Sequence, residues 1–182
     1  MQIDRVLYPI TTLGPGKRLV IWTIGCPHHC ANCSNPELWN PNLDKEIEIQ
    51  YLIEYLEPYL IKCEGITITG GDPFYQGNEL IKLIFEIKKI CNVDILVYTG
   101  YSYAYVKRKY SKAISSIDVL VDGLYVDKLN NNIGLKGSSN QNVYIINPSF
   151  KEKYKDFNSL ERQRQNFIVK DKIISVGIPR KA

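Results

Sequence analysis

The sequence predicts an α/β fold of parallel strands joined by crossover helices, with a short C-terminal β-hairpin. Up to residue 147, apolar runs of strand length alternate with segments of helical periodicity, the pattern of a parallel sheet. Near the end, residues 166–169 and 172–176 flank Lys170-Asp171 and indicate a hairpin. The chain has 182 residues, of which 45% are hydrophobic and 23% charged. Those values are typical of a globular domain with a real core.

The elements are predicted in the following order. Residues 18–24 form a mostly apolar run after a turn-rich stretch, and their β-branched and aromatic content favours a buried parallel strand. Further strands are predicted at 66–69, 93–98, 117–121 and 143–146. Helices are predicted between them, one ending before Pro58, one over the apolar positions 80–87 and one over 103–115.

The chemistry concentrates in a loop that follows the first predicted strand. Cys26, Cys30 and Cys33 have the spacing C-x3-C-x2-C, so their thiolates can converge on one metal centre. A closed zinc site needs four ligands, and a simple cubane cluster needs four cysteines. Three thiolates would leave one iron of a [4Fe–4S] cluster open to bind a reactant. A zinc site completed by His28 or His29 is the alternative from these residues alone.

Two other predicted strands end in loops of unusual composition. Gly70-Gly71-Asp72-Pro73 follows one strand and Asp122-Gly123 follows another. Parallel strands place their carboxyl ends on one edge of a sheet, where ligands bind, so we expect both loops beside the cysteines. Glycines allow the backbone to approach a ligand closely because they lack a Cβ.

These motifs resemble the radical S-adenosylmethionine superfamily, and within it the activating proteins of anaerobic ribonucleoside-triphosphate reductases. The resemblance covers roughly residues 8–147. It rests on segments that occur in the family's order: Gly14-Pro15-Gly16, Gly25 to Asn35, Gly70 to Pro73, Tyr98-Thr99-Gly100-Tyr101, Val119 to Gly123 and Gly137-Ser138-Ser139-Asn140-Gln141. It implies a partial (β/α) barrel as a radical S-adenosylmethionine core domain over 1–147. Residues 148–182 would form a basic extension beyond the family's usual end.

The resemblance also implies a mechanism. Cys26, Cys30 and Cys33 would hold a [4Fe–4S] cluster, with S-adenosylmethionine as second cofactor. Reductive cleavage would give a 5′-deoxyadenosyl radical that takes hydrogen from a glycine of anaerobic ribonucleotide reductase, with a reduced flavodoxin-type protein as electron donor. The expected cofactor contacts are Asn32 and Ser34 at the adenine, Gly70, Gly71 and Asp72 at the methionyl amino group, and Asp122 toward ligand or partner.

Two other functions remain open. One is a related radical enzyme acting on another glycyl radical enzyme, a peptide or a small molecule. A closed pocket with the tail folded over it would favour that function, whereas a shallow open site would favour a protein substrate. The other is a non-enzymatic zinc-binding interaction module, which metal and labile-sulfide analysis would distinguish.

Charge and cysteine usage limit the cellular compartment and the classes of partner that we expect for this protein. The net charge is +4. From Pro148 onward the sequence contains nine Lys/Arg and four Asp/Glu, so this part of the chain is basic. A solvated surface explains this basic tail better than nucleic acid, because acidic residues are interspersed and stacking aromatics are lacking. No apolar run approaches the ~20 residues of a membrane span, and we find no export signal. Clustered cysteines without a disulfide pattern fit the reducing cytoplasm.

Overall fold

A computed structural model describes residues 1–169 and 172–181. Its main feature is a six-stranded sheet whose strands lie in sequence order. Strands β2 to β5 are parallel, and β1 and β6 pair with them in the antiparallel sense at the two edges. The strands are β1 Ile3–Ile10, β2 Arg18–Thr23, β3 Gly65–Gly70, β4 Ile95–Tyr98, β5 Val119–Asp122 and β6 Asn142–Ile145.

Both faces of the sheet are covered, which explains the continuous apolar strands. Along β2, Leu19 and Ile21 point into one core, and Val20 and Trp22 point into the other. All six residues of β2 are buried. The prediction of a buried parallel strand here is therefore confirmed.

Helices cover the face of the sheet to which Leu19 and Ile21 point. They are α1 Ile49–Leu60, α2 Gly77–Ile90, α3 Tyr103–Lys109 and α4 Ser111–Ile114. The predicted end before Pro58 is wrong, because α1 continues through that proline while Leu56 and Leu60 are buried in the core. Packing of these leucines outweighs the lost backbone hydrogen bond. The predicted helix over 103–115 is divided at Tyr110.

The edges of the sheet differ from the sequence prediction. Strand β1 was not predicted, because residues 3–10 carry charges and a proline and are mostly half-buried. Strand β6 was predicted, but its antiparallel direction was not. The chain between β5 and β6 contains only a short 3-10 helix, so it turns back instead of crossing over.

The C-terminal segment covers the second face of the sheet. Its hairpin is confirmed, with β7 Gln165–Val169 pairing antiparallel to β8 Lys172–Val176, while Lys170 and Asp171 lie outside the described residues. Tyr154, Phe157, Val176 and Ile178 are buried against the strands there. Within the described part of the chain, no helix is long and apolar enough to cross a membrane.

A buried ion cluster ties this segment to the sheet. Arg18 and Asp94 are fully buried and form an ion pair of 2.7 Å, and Asp94 also accepts hydrogen bonds from Lys153 and Tyr154. Burial alone would raise the pKa of Asp94, but the Arg18 charge and the hydrogen bonds from Arg18, Lys153 and Tyr154 together lower that pKa below the ordinary 3.8. The segment after residue 147 is thus joined to the core by buried charge as well as by apolar packing.

Candidate iron–sulfur and nucleoside site

The cysteine loop begins where β2 ends and is fixed by backbone hydrogen bonds. Gly25 N donates to Leu38 O at 2.8 Å, and Cys26 N donates to Trp39 O at 2.9 Å. Gly25 has a φ of +95°, and a Cβ there would lie 2.3 Å from the Tyr75 ring. A glycine is therefore required at the entry to the loop.

The three clustered thiols line one cavity of about 400 Å³. Each is half-buried, and all five cysteines of the chain are free thiols. No group of three or more His, Cys, Asp or Glu side chains has the geometry of a single-ion site within residues 1–169 and 172–181. In a cubane cluster each cysteine binds a separate iron, so the three thiols need not meet at a single ion.

Backbone amides point at the thiols. Asn35 N donates to Cys33 Sγ at 3.4 Å. Burial raises the pKa of the Cys26 thiol, and the backbone amide of His28 opposes that shift. Burial likewise raises the pKa of Cys30, against the backbone amide of Tyr125. Such amides would hydrogen-bond thiolates and tune the potential of a cluster, and a bound metal would deprotonate the thiols.

Two further polar groups at this cavity are unpaired. Arg5 and Trp39 both line it, and Arg5 Nε and Trp39 Nε1 are buried with no hydrogen-bond partner among the described residues. A volume of this size lies within the range of small-molecule sites. The thiols and the backbone amides around them fit a cluster bound in this cavity.

Asp72 joins the loops that follow three parallel strands. Its side chain is 1% exposed. His28 Nε2 lies 2.8 Å from Oδ2, Gly100 N donates to Oδ2 at 2.8 Å, and Phe74 N donates to Oδ1 at 2.9 Å. Thr99 Oγ1 lies 2.9 Å from both oxygens. Asp72 therefore positions His28 and the ends of β3 and β4, a role that sequence reasoning did not assign to it.

The two glycines before Asp72 have a structural requirement of their own. Gly70 has a φ of +116°, and a Cβ there would lie 2.4 Å from the backbone N and O of Thr23. A Cβ on Gly71 would lie 2.4 Å from Gly25 O. Gly71 also lines the cavity, whereas Gly70 is not among its lining residues. Close approach of β3 to β2 and to the cysteine loop is thus the first reason for this pair.

The other predicted contacts divide into two groups. Asn32 and Ser34 line the cavity on the exposed side of the cysteine loop, and Asn32 has a φ of +56°. Asp122 is buried and accepts hydrogen bonds from Tyr103 N at 2.6 Å and Asn142 Nδ2 at 3.0 Å. Among the described residues that line the cavity, Asp122 does not appear, and its contacts hold α3 and β6 in place.

The Gly137 to Gln141 segment is a hydrogen-bonded turn at the cavity wall. Gln141 Oε1 accepts from Gly137 N at 2.7 Å and Ser138 N at 3.1 Å, and Gln141 Nε2 donates to Gly123 O at 2.7 Å. Ser138 is fully buried and its Oγ accepts from Val126 N. These bonds fix the loop after β5, so the segment has a structural role that its sequence alone did not reveal.

The C-terminal segment supplies one wall of the cavity. Arg164 and residues 175–179 are among the lining residues. Arg162 is buried and donates to backbone carbonyls of the loop before β6, including Gly134 O at 3.0 Å and Lys136 O at 2.6 Å, and to Pro179 O at 2.8 Å. The wall is therefore built into the fold, and sequence reasoning missed it because no motif marks these residues.

Comparisons with known proteins agree with this geometry. A family model described as a 4Fe-4S single cluster domain matches residues 12–144. An anaerobic ribonucleoside-triphosphate reductase-activating protein of Escherichia coli K12 is 36% identical over 148 residues, which cover 96% of that protein and 76% of this chain. This chain belongs to that family. The activating protein of Enterobacteria phage T4 is 33% identical over 150 residues, covering 94% of that protein and 79% of this chain.

The activating protein of Vibrio cholerae is 31% identical over 146 residues, covering 94% of it and 75% of this chain. A crystal structure of QueE from Escherichia coli matches 54% of this chain and 52% of its own, with a TM-score of 0.45 and 20% identity. So distant a likeness supports no statement about this chain. About a quarter of the chain lies outside the matches to the activating proteins.

Proposed function

We propose that this protein installs a glycyl radical on an anaerobic ribonucleotide reductase. The observation that carries the proposal is the set of three half-buried thiols on one cavity, in a chain that belongs to the activating proteins. Cys26, Cys30 and Cys33 would hold a [4Fe–4S] cluster, with S-adenosylmethionine in the same cavity. When bound and reduced by an external one-electron donor, the cluster would supply the electron that cleaves the C5′–S bond of S-adenosylmethionine, leaving methionine and a 5′-deoxyadenosyl radical able to take a hydrogen atom from the glycine.

The residues of the chain prepare this chemistry by position. Asp72 accepts a hydrogen bond from His28 Nε2 and so holds the chain between Cys26 and Cys30. Gly71, Asn32 and Ser34 border the cavity where a methionyl group and an adenine would contact the chain. The half-buried setting of the thiols shields the reactive centre from much of the solvent.

We also propose a partial (β/α) barrel for the sheet. Arg5 on β1 and Gln141 beside β6 line the same cavity, although they belong to opposite edges. In a flat sheet, five spacings of ~4.8 Å would separate these edges by roughly 24 Å. Curvature of the sheet around the cavity accounts for the shared wall.

Residues 1–147 and 148–182 are proposed as core domain and extension. The Escherichia coli match covers 96% of that protein and only 76% of this chain, and the 4Fe-4S family model matches residues 12–144, which supports the division. We propose that the extension forms the substrate-facing wall, because Arg164 and residues 175–179 border the cavity.

The free state of all five cysteines supports the reducing cytoplasm as the compartment.

The wall formed by the extension favours a second candidate, a radical enzyme with a different substrate. A cavity with this added wall fits a peptide or small molecule more readily than a folded protein. Metal and labile-sulfide analysis distinguishes the zinc-module alternative from both radical enzymes.

The experiment that tests the proposal starts from anaerobically reconstituted protein. Iron and labile-sulfide analysis is followed by incubation with dithionite and S-adenosylmethionine, and 5′-deoxyadenosine is quantified. We expect about four irons and four sulfides per chain and formation of the nucleoside. Zinc without labile sulfide, or an intact cluster without the nucleoside, would contradict the proposal.

A further inference from the structure

A concentrated positive charge lies on the helical side of the molecule. Between Asp94 and Asp118 the sequence contains no acidic residue, yet it contains four basic ones. All four side chains are exposed, and none forms an ion pair with another described residue. We name this surface the α3 basic face, and its members are Lys107, Arg108, Lys109 and Lys112.

A contiguous aromatic stack leads from this face to the cysteine loop. Lys109 Nζ donates to Tyr105 OH at 3.0 Å. The Tyr105 ring stacks on Tyr101 with centroids 4.5 Å apart, and Tyr101 meets the edge of His28 at 4.5 Å. His28 stands in the chain between Cys26 and Cys30. The α3 basic face is therefore two ring contacts away from the loop that carries the thiols.

The α3 basic face is also separate from the substrate-facing wall that the extension forms. Val106 on α3 is buried in the core on the helical side of the sheet, whereas Val176 and Ile178 of the extension are buried in the core on the other side. A protein bound at the α3 basic face would leave the wall formed by residues 175–179 free. An electron donor and a substrate could then occupy the molecule together.

We propose that the α3 basic face docks an acidic one-electron donor protein of the flavodoxin type. The inference rests on the proposed function, in which each cleavage of S-adenosylmethionine consumes one electron that the reduced flavin of the donor loses. Electron transfer slows steeply with distance, so the donor must bind near the cysteine loop. Uncompensated positive charge there attracts an acidic partner and speeds its association, as is typical of small, transient redox interfaces.

The test compares two double variants with equal change in charge. Lys107→Glu with Arg108→Glu reverses the centre of the face. Lys62→Glu with Lys151→Glu is the control, because both lysines are exposed and follow or precede strand ends that lie opposite to the cysteine loop, where β3 begins and β6 ends. Binding of an acidic flavodoxin to each anaerobic holoenzyme is measured by titration, and 5′-deoxyadenosine formation is measured with reduced flavodoxin and, separately, with excess dithionite.

We expect the α3 variant to bind flavodoxin about tenfold more weakly or worse, with a matching loss of flavodoxin-driven rate at low donor concentration. Its dithionite-driven rate should equal that of the parent, and the control should bind and react as the parent does. Added salt should weaken binding to the parent more than to the α3 variant. Equal flavodoxin affinity of the two variants would overturn the proposal.

The design separates this inference from the proposed function. If the parent holoenzyme forms no 5′-deoxyadenosine with dithionite, the proposed function fails, and the titrations still decide whether the α3 basic face binds the donor. If cleavage occurs but both variants respond alike, only the docking inference fails. Circular dichroism checks folding, and Lys112→Glu serves as a milder variant if the double change unfolds the chain.

Discussion

Substitution of Asp72 distinguishes a positioning role from a ligand-binding role. An Asp72→Asn side chain keeps the shape of the carboxylate but offers one acceptor oxygen instead of two. Phe74 N donates to one oxygen, while Gly100 N and His28 Nε2 approach the other. Whichever way the amide turns, at least one buried N–H faces an NH₂ group.

The expected cost follows from these contacts. An unpaired buried donor costs about 1–3 kcal/mol, and hydrogen bonds to a charged acceptor contribute more than neutral ones. With the weakened bond to His28 added, we expect the free energy of unfolding to fall by about 2–5 kcal/mol. That loss is large for a domain whose total stability is of the order of 5–15 kcal/mol.

Urea unfolding of the cluster-free protein, followed by circular dichroism, measures this quantity. Asp44→Asn is the matched control, because Asp44 is exposed and its side chain makes no hydrogen bond among the described residues. We expect the control to change stability by less than about 0.5 kcal/mol. An unchanged stability of Asp72→Asn together with weaker S-adenosylmethionine binding would refute the positioning role and support direct contact with the methionyl amino group.

Three further predictions follow from the same structure. Alanine in place of Cys26, Cys30 or Cys33 should abolish formation of 5′-deoxyadenosine. Cys63→Ala should retain it, because Cys63 is buried in the core on the helical side of the sheet and does not line the cavity. Full activity of any of the first three variants would refute the cluster assignment. Gly70→Ala should lose about 3 kcal/mol or more in urea unfolding from backbone clash and strain, whereas Gly123→Ala, where the nearest atom is 3.8 Å away, should show strain alone; equal losses would contradict the clash. Because the pKa of Asp94 is lowered on folding, its contribution to stability is complete above its ordinary pKa of 3.8 and is lost as the pH falls through the lowered value. A urea midpoint series below about pH 5 should therefore show a shallower acid-induced loss for Asp94→Asn, and parallel curves would count against the buried ion pair.

The parallel centre of the fold was predictable because its signals are local. The apolar run of β2 and the glycine-rich ends of β3 and β5 mark strand ends, and parallel pairing then places the loops on one edge. The continuation of α1 through Pro58 was not predictable, because it depends on where Leu60 packs. Edge strand β1 carries too little periodicity to be recognised without its partner.

The site was predictable in its ligands and less so in its supports. Three cysteines at a specific spacing can be recognised in the sequence. The hydrogen-bond partners of Asp72 cannot, because they come from three separated segments. Asp122 was expected near ligand or partner, and its hydrogen bonds to Tyr103 and Asn142 became visible only when those segments were brought together. Residues 175–179 line the cavity because Val176 and Ile178 pack into the core beside it. No residue spacing in the sequence predicts this packing.

The most direct measurement is electron paramagnetic resonance of the host's anaerobic reductase after incubation with this protein. The mixture contains the reconstituted holoenzyme, S-adenosylmethionine and reductant under anaerobic conditions. We predict a glycyl radical signal on the reductase together with 5′-deoxyadenosine. Nucleoside formed without any glycyl signal would contradict the assignment of the reductase as substrate and would support the candidate with a different substrate.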